Sequence, residues 1–336
     1  MKILITGALG FVGSNLCTHF GQDPSNTVIG IDNRYKLPGS NQNHSLITNS
    51  SAQYSYCDIR NINDLNMIYR EYQGFDLVLH MAAQVAFKCS VDNPRLDFEI
   101  NALGTFNLLE ATRLYCADAI FVYASTNQVY GELKIEPIKE YKSRFDFLKL
   151  KSGVPETYPV DFLSPYGCSK GAGDMYVQDY ARVYGMKTVV ARFGGIYGDN
   201  QYSYEDHGWV SYISEMVMSN SGFNRFGHGK QVRDVLYISD IIEAISLMIT
   251  NIDSISGEVF NISGGPENTL SVLELLKLLE ELTGNKEKSI INPMRQADKV
   301  VMYLDISKAK SQLGWTPMVD KTAGIKKLLK WLSIRD

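Results

Sequence analysis

The chain has few features that would tie it to a metal, a membrane or a nucleic acid. Its five cysteines, Cys17, Cys57, Cys89, Cys116 and Cys168, are odd in number, widely scattered and never spaced as C-x-x-C. That argues against a disulfide framework or a cysteine metal site and fits a reducing, cytoplasmic setting. No apolar run has the length needed to cross a bilayer, and the first, from Ile3, passes straight into a glycine turn, which argues against a signal peptide. Charge of either sign is in little excess: 33 Lys and Arg against 37 Asp and Glu leave a formal net charge of -4. There is thus no basic footprint for nucleic acid or an acidic membrane. Internal repeats and low-complexity tracts are missing too. What remains is a chain of 336 residues, 45% hydrophobic, long enough for a large core and a second lobe. Small molecules and further copies of the chain are the expected partners.

The stretch Ser164-Pro165-Tyr166-Gly167-Cys168-Ser169-Lys170 opens an amphipathic run. Tyr166 and Lys170 are four residues apart, one helical turn, so both project from the same face. A fixed positive charge favours a phenolate, so this spacing predicts a Tyr166 of lowered pKa that takes a proton from a bound hydroxyl group. Y-x-x-x-K is common on exposed helices, and the pair gains meaning only from its surroundings.

Those surroundings begin at the first strand. Lys2 to Thr6 is a continuous apolar run that reads as a strand buried on both faces of a parallel sheet. Gly7, Gly10 and Gly13 follow, spaced G-x-x-G-x-x-G, and then a helical run from Ser14 to Phe20. Glycines between strand and helix permit a tight turn and close approach to a pyrophosphate at the helix N-terminus. A second strand, Val28 to Ile31, ends in Asp32, about twenty residues on, where an acid bonds a ribose 2′-hydroxyl and disfavours a 2′-phosphate. NAD is the expected cofactor, tempered slightly by Arg34. Further βα units read from Tyr54 to Cys57, ending in Asp58-Ile59, and from Phe75 to His80, ending in Met81-Ala82-Ala83. Asp58 suits an adenine edge, and His80 a packed strand end.

Pro94 to Tyr115 reads as one long helix from which Asn101 could reach the cofactor. Ala119 to Ala124 is the next central strand, and the hydroxyl of Thr126 just beyond it could share a sugar hydroxyl with Tyr166. Glu132 to Ser164 reads as a polar loop excursion, and Thr188 to Arg192 as a buried strand. In the less regular remainder, Arg233 and Arg295 are candidate diphosphate ligands, although each alone is more often a surface ion pair. Ser271 to Thr283, Ile306 to Leu313 and Thr322 to Leu332 read as helices. The helices 94–115 and 166–184 carry apolar stripes on more than one side, which suggests helix pairing in a homodimer or homotetramer.

Together, Gly7, Gly10 and Gly13, Asp32, Asp58-Ile59, Met81-Ala82-Ala83, Asn101, Ser125-Thr126 with Tyr130-Gly131, Tyr166 with Lys170, and Val232-Arg233-Asp234 resemble the extended short-chain dehydrogenase/reductases that act on nucleotide-diphosphate sugars. The likeness covers almost the whole chain. It implies an α/β fold, a Rossmann-type doubly wound parallel sheet with a smaller, mostly helical C-terminal substrate lobe. The expected domains are 1–192, with 234–262 returning to it, and 193–233 with 263–336. By the same resemblance Phe11, Val12, Asn33, Ser125 and Phe193 join the cofactor site, with Tyr166 and Lys170 also touching NAD. Gln84, Asn127 and Gly195 join Thr126, Arg233 and Arg295 in the substrate site.

Within the family, Gln84-Val85-Ala86, Asp97-Phe98-Glu99-Ile100-Asn101, Ser125-Thr126-Asn127 and Ser164 through Ala172 look most like the 2-epimerases of CDP-activated deoxysugars, which serve O-antigen and lipopolysaccharide synthesis. Gly194-Gly195 depart from that pattern, and would help open a roomy sugar pocket. The family's 4,6-dehydratases resemble S-T-D-E where this chain has Asn127 and Gln128, so elimination has lost its acid and base. The implied reaction is transient oxidation of the sugar to a ketone, rotation and hydride return by bound NAD. Inversion at C2 of a CDP-sugar, inversion at C4 of a UDP-hexose, and a non-catalytic NAD-binding protein of the same fold all remain readings of these residues.

Overall fold

A computed structural model describes residues 1–35, 39–295 and 298–335. Along the chain come β1 (Lys2–Thr6), α1 (Phe11–Gly21), β2 (Thr27–Asp32), α2 (Ser40–Thr48), β3 (Gln53–Tyr56), α3 (Ile62–Glu71) and β4 (Leu77–His80). Next are α4 (Phe87–Asp92), α5 (Pro94–Phe98), a π-helical turn (Glu99–Leu103), α6 (Gly104–Tyr115), β5 (Ile120–Thr126), β6 (Ile138–Glu140), β7 (Phe145–Phe147) and α7 (Ser164–Tyr184). The remainder comprises β8 (Thr188–Phe193), β9 (Gly195–Tyr197), α8 (Trp209–Met218), β10 (Gly222–Phe226), β11 (Val232–Tyr237), α9 (Ile238–Thr250), α10 (Ile252–Ile255) and β12 (Val259–Ile262). After β13 (Thr269–Ser271) and α11 (Val272–Thr283) follow β14 (Lys288–Asn292), β15 (Val301–Met302), α12 (Ser307–Leu313) and α13 (Lys321–Leu332).

The chain divides into two compact units. The first, 1–129 with 164–192 and 242–260, is built on a seven-stranded sheet in the order β12-β8-β5-β4-β1-β2-β3. Pairings from β3 through β5 are parallel. Right-handed crossovers bring helices onto such a sheet, and ligands gather at the carboxyl ends of its strands where the order reverses, here between β1 and β4. Leu4, Val78, Phe121 and Val190 are fully buried in a core that also takes in Leu65, Leu108 and Val177 from the helices. These apolar strands are continuous rather than alternating because both faces are covered.

The second unit comprises 130–163, 193–241 and 261–336. Its helices α8, α11, α12 and α13 are joined by small sheets: β9 and β15 pair parallel to β11, β13 antiparallel to it, β10 pairs with β14 and β6 with β7. Short strands, none longer than six residues, accompany the helices expected of this lobe. Strands this short carry no readable alternation, and their partners lie far away in sequence. Residues 130–163, assigned to the first domain on sequence, group with this unit. The Tyr130 hydroxyl donates to Asn261 Oδ1 (2.8 Å), and the Asn261 amide donates to Glu156 (2.7 Å).

The helix expected over 94–115 is interrupted by the π turn at Glu99–Leu103. Its residue count is one too many for regular α geometry, a feature invisible to a search for 3.6-residue periodicity. No helix among the described residues is long and apolar enough to cross a membrane.

Candidate active site

The turn after β1 has no room for side chains. Gly7 is left-handed (φ 68°), and a Cβ there would lie 2.7 Å from the Ala82 backbone, while one at Gly13 would lie 2.1 Å from the Gly7 carbonyl. Gly10, at the N-cap of α1, supplies no side-chain cap, so the helix start, with Phe11 and Val12, faces outward with its amide donors and dipole. That arrangement fits a pyrophosphate. At the end of β2, Asp32 accepts from the amides of Leu9 (3.2 Å) and Arg34 (2.8 Å), which fixes its carboxylate beside the glycine turn. Arg34 lies over the Tyr54 ring, 5.0 Å from its centroid. Asn33 donates to Asp58 (2.9 Å), which Arg60 grips at 2.6 Å. Burial alone would raise Asp58, but the bonds from Arg60 and Asn33 hold it down to about 2. Ile59 is buried, and its side chain fills the place a Cβ on Gly104 would need. Met81-Ala82-Ala83 follow β4, the Ala82 amide donating to Thr6 Oγ1 (3.1 Å). Thr6 also meets His80 Nδ1 (2.7 Å), and His80 Nε2 meets Thr105 Oγ1 (2.9 Å), a packed polar strand end.

Asn101 sits in the π turn and is fully buried. It donates to the Gln84 carbonyl (2.9 Å), Ser169 Oγ (3.1 Å) and Asp97 Oδ1 (3.2 Å), and accepts from the Gln84 amide (2.9 Å). The extra residue of the turn directs its side chain into a clamp between β4's exit loop and α7. Gln84, expected on the substrate, is engaged at both side-chain ends, donating to Asp97 (2.8 Å) and accepting from the Ala86 amide (2.6 Å). Ser125 likewise faces inward, its hydroxyl donating to Asp174 (2.6 Å). Asp174 is wholly buried and binds Arg192 as a fork, at 2.9 and 3.0 Å.

Thr126 ends β5, receives the Gln128 amide at 3.2 Å, and its hydroxyl is the neighbour that acts to lower the Tyr166 phenol. Asn127 beside it is buried. Ser164 opens α7 from a left-handed conformation (φ 71°), and its hydroxyl accepts the Gly167 amide (3.3 Å), so the helix starts abruptly at the residue before Pro165. Tyr166 and Lys170 therefore lie one turn apart within a single helix, as their spacing requires.

Their electrostatics differ from the expectation. Tyr166 is pushed up to about 12, because crowding by protein outweighs the Thr126 hydrogen bond and the charge of Asp97 adds to the rise. Lys170 is 2% exposed, with Nζ 4.1 Å from the centroid of the Tyr123 ring. Burial pushes it down to about 7 against the pull of Asp174 and Asp97. The spacing argument assumed a full positive charge beside the phenol and could not count the desolvation that both groups share.

In the second unit, Phe193 is buried at the end of β8 and Gly195 opens β9. A Cβ on Gly195 would lie 2.6 Å from the Asp234 carbonyl, and one on Gly194 would strike Ser263 Oγ. These glycines admit close neighbours rather than opening the room expected of them. Arg233 donates to Asp298 (2.7 Å) and the Lys299 carbonyl (2.6 Å); Arg295 meets Asp206 (2.8 Å) and stacks on Phe226, 3.9 Å from its centroid. Neither guanidinium is uncommitted. Four site members were not legible as such in the sequence: Asp97, Ser169, Asp174 and Arg192. Asp174 stands one turn beyond Lys170, a spacing that could have flagged it; Asp97 had no such signal.

Residues 4–328 match the family model described as GDP-mannose 4,6 dehydratase. The chain belongs to that family. This GDP-mannose 4,6-dehydratase family is one of extended short-chain dehydrogenase/reductases. CDP-paratose 2-epimerase of Salmonella typhi is 40% identical to this chain over 99% of both. A dTDP-glucose 4,6-dehydratase of Salmonella typhimurium is 29% identical over 98% of this chain and 92% of its own. A solved UDP-glucose 4-epimerase of Thermotoga maritima with UDP-glucose superposes with TM-score 0.85 at 31% identity, covering 99% of each chain. UDP-glucuronic acid 4-epimerase of Bacillus cereus, in complex with UDP-glucuronic acid and NAD, gives 0.85 at 27% identity over 100% of both chains.

Proposed function

We infer that this enzyme inverts one carbon of a nucleotide-diphosphate sugar, with C2 of a CDP-deoxysugar as the first reading and NAD as the resident cofactor. The observation that carries it is the join of Thr126 to Tyr166 one turn from Lys170, on a strand-end turn where Asn127 and Gln128 stand in place of carboxyl groups. The glycine turn, the open start of α1 and the pinned Asp32 fit an NAD. NAD supplies an acceptor that takes an electron pair from the sugar carbon and gives the same pair back.

The chain's own groups manage the proton. Thr126 holds the sugar hydroxyl against Tyr166; Tyr166 takes its proton as the carbon becomes a carbonyl and returns it after the flat ketone has turned about its phosphate linkage. A charged Lys170 favours the phenolate. Asn127 and Gln128 cannot exchange a proton at neutral pH, so loss of water from the ketone has no agent here. On the second unit, Arg233 and Arg295 are assigned to the diphosphate, where a fork of donors suits phosphate oxygens. CDP-paratose 2-epimerase, also called CDP-tyvelose 2-epimerase, favours C2; the solved 4-epimerases favour C4 of a UDP-hexose as the second reading. Exposed Phe98, Leu114, Tyr176 and Val183 on α5 to α7 supply an apolar face for pairing with another copy. A cytoplasmic place in deoxysugar supply for O-antigen accords with the substrate class and with cysteines that form no disulfide among the described residues.

The deciding experiment incubates purified enzyme, without added cofactor, with CDP-, UDP-, GDP- and dTDP-sugars and reads products by NMR. Inversion at C2 of a CDP-sugar is the expected result. Inversion at C4 alone selects the second reading, and no inversion of any sugar removes both.

A further inference from the structure

Lys170 is buried, and among the described residues it enters no ion pair. The two carboxylates whose fields reach it are engaged elsewhere. Asp174, the stronger influence, stands one turn further along α7 and accepts from Ser125 (2.6 Å), Gln178 (2.7 Å) and Arg192 at two points (2.9 and 3.0 Å). Asp97 on α5 accepts from the neutral donors Gln84 (2.8 Å), Asn101 (3.2 Å) and Ser169. Tyr166 shares the helix, and His80 on β4 is kept neutral by burial and then by the field of Lys170. What the ammonium does meet is the face of an aromatic ring: Nζ lies 4.1 Å from the centroid of Tyr123 on β5.

Tyr123 is itself fixed on several sides. It is 0% exposed, and its hydroxyl donates to the Lys170 carbonyl at 3.2 Å. A Cβ on Gly173 would collide with that hydroxyl, so α7 carries a glycine where the ring comes against it. On β4 the His80 ring, held between Thr6 and Thr105, packs 5.5 Å from the Tyr123 centroid. One side chain thus grips the same lysine at its main chain and at its tip. The face of an aromatic ring is the negative part of its quadrupole and attracts a cation, most strongly where water is scarce. A carboxylate at that place would also hold the ammonium, but its charge would cancel the field of the lysine at a third group. A ring has no net charge, so it stabilises the cation and leaves the field at Tyr166 whole.

We propose that Tyr123 is a positioning residue for the Tyr166–Lys170 pair: its ring face holds the Lys170 ammonium by a cation–π contact, and its hydroxyl on the Lys170 carbonyl keeps ring and lysine in register. The proposal rests on the epimerase reading for its purpose, since the charge on Lys170 matters there through the phenol one turn before it. Burial drives Lys170 down to about 7, against the fields of Asp174 and Asp97. A contact worth about one pH unit therefore decides between ammonium and amine at neutral pH.

The test follows the titration of Lys170 in the full chain saturated with NAD, with lysine labelled at Cε for carbon NMR and the signal assigned by its disappearance in Lys170→Arg. Tyr123→Phe keeps the ring face and should keep the parental midpoint. Pentafluorophenylalanine incorporated at position 123 keeps the shape of that ring and reverses the sign of its face. The midpoint should then fall by about one pH unit relative to Tyr123→Phe. A ring that only fills space would not register the fluorines, so equal midpoints in the two proteins, parental or lowered, overturn the proposal. Should neither altered chain fold, the parent decides. The ring current of Tyr123 must move the Lys170 Cε protons upfield of those of exposed lysines, and an unmoved signal overturns the proposal. None of these readouts needs a sugar, so a substrate panel without inversion would sink the epimerase reading and leave this result standing.

Discussion

Around α7 in the first unit, Tyr166 and Lys170 sit beside a carboxylate held by neutral donors, and burial moves both away from their ordinary ranges. In the second unit the arginines meet carboxylates: Arg144 with Glu274, Arg225 with Glu287, Arg233 with Asp298 and Arg295 with Asp206. A paired guanidinium keeps its charge at any accessible pH, so what can vary there is which anion it holds. A lysine near pH 7 and a phenol answered only by a hydroxyl can change protonation state within a reaction cycle. Under the proposed function the first region would move a proton and the second would exchange ions, a phosphate displacing a resident carboxylate.

The sharpest attack on that contrast is Tyr166→Phe. Turnover should fall by about a thousandfold, within the range general acid–base groups contribute, while cofactor released on denaturation and read by absorbance stays at parental content. Turnover close to the parent would remove the proton-moving character of the first unit. Next is Arg192→Leu, which leaves Asp174 buried without its partner; urea unfolding should show a loss of about 3 to 5 kcal/mol. A much smaller loss would mean that Ser125 and Gln178 suffice to hold Asp174, and that this charge is free to serve Lys170. The smallest effect belongs to the second unit. Asp298→Asn releases Arg233 from its resident anion, and calorimetric titration with CDP or UDP should show binding tightened by about twofold to fivefold, the worth of one partly exposed ion pair. Weaker binding would show that Asp298 places Arg233 rather than competing for it.

The parts of this architecture readable in the sequence are those whose determinants are local. The β1 strand, the glycine turn, Asp32 at the end of β2, and Tyr166 and Lys170 within one helix all lie inside short windows, where periodicity and steric need speak directly. Asp97 and Ser169 are 72 residues apart, and their meeting depends on how α5 and α7 pack, which no window contains. Gln84, Asn101 and Ser125 have side chains that turn inward to Asp97, Gln84 and Asp174, partners that no short window contains. Gly194 and Gly195 suggested space, yet absent side chains say only that something comes close, and here it is Ser263 and the Asp234 backbone. The rise of the Tyr166 phenol comes from desolvation, which cannot be counted from sequence as a charge can.

The π turn at Glu99–Leu103 gives one last consequence. A single surplus residue rotates everything before it by roughly a hundred degrees relative to an unbroken α-helix. Excising any one residue of that segment would leave a more regular rod, agreeable to every propensity scale. It would also swing Asp97 off the flank of α7, so the spare rung is what aims the carboxylate.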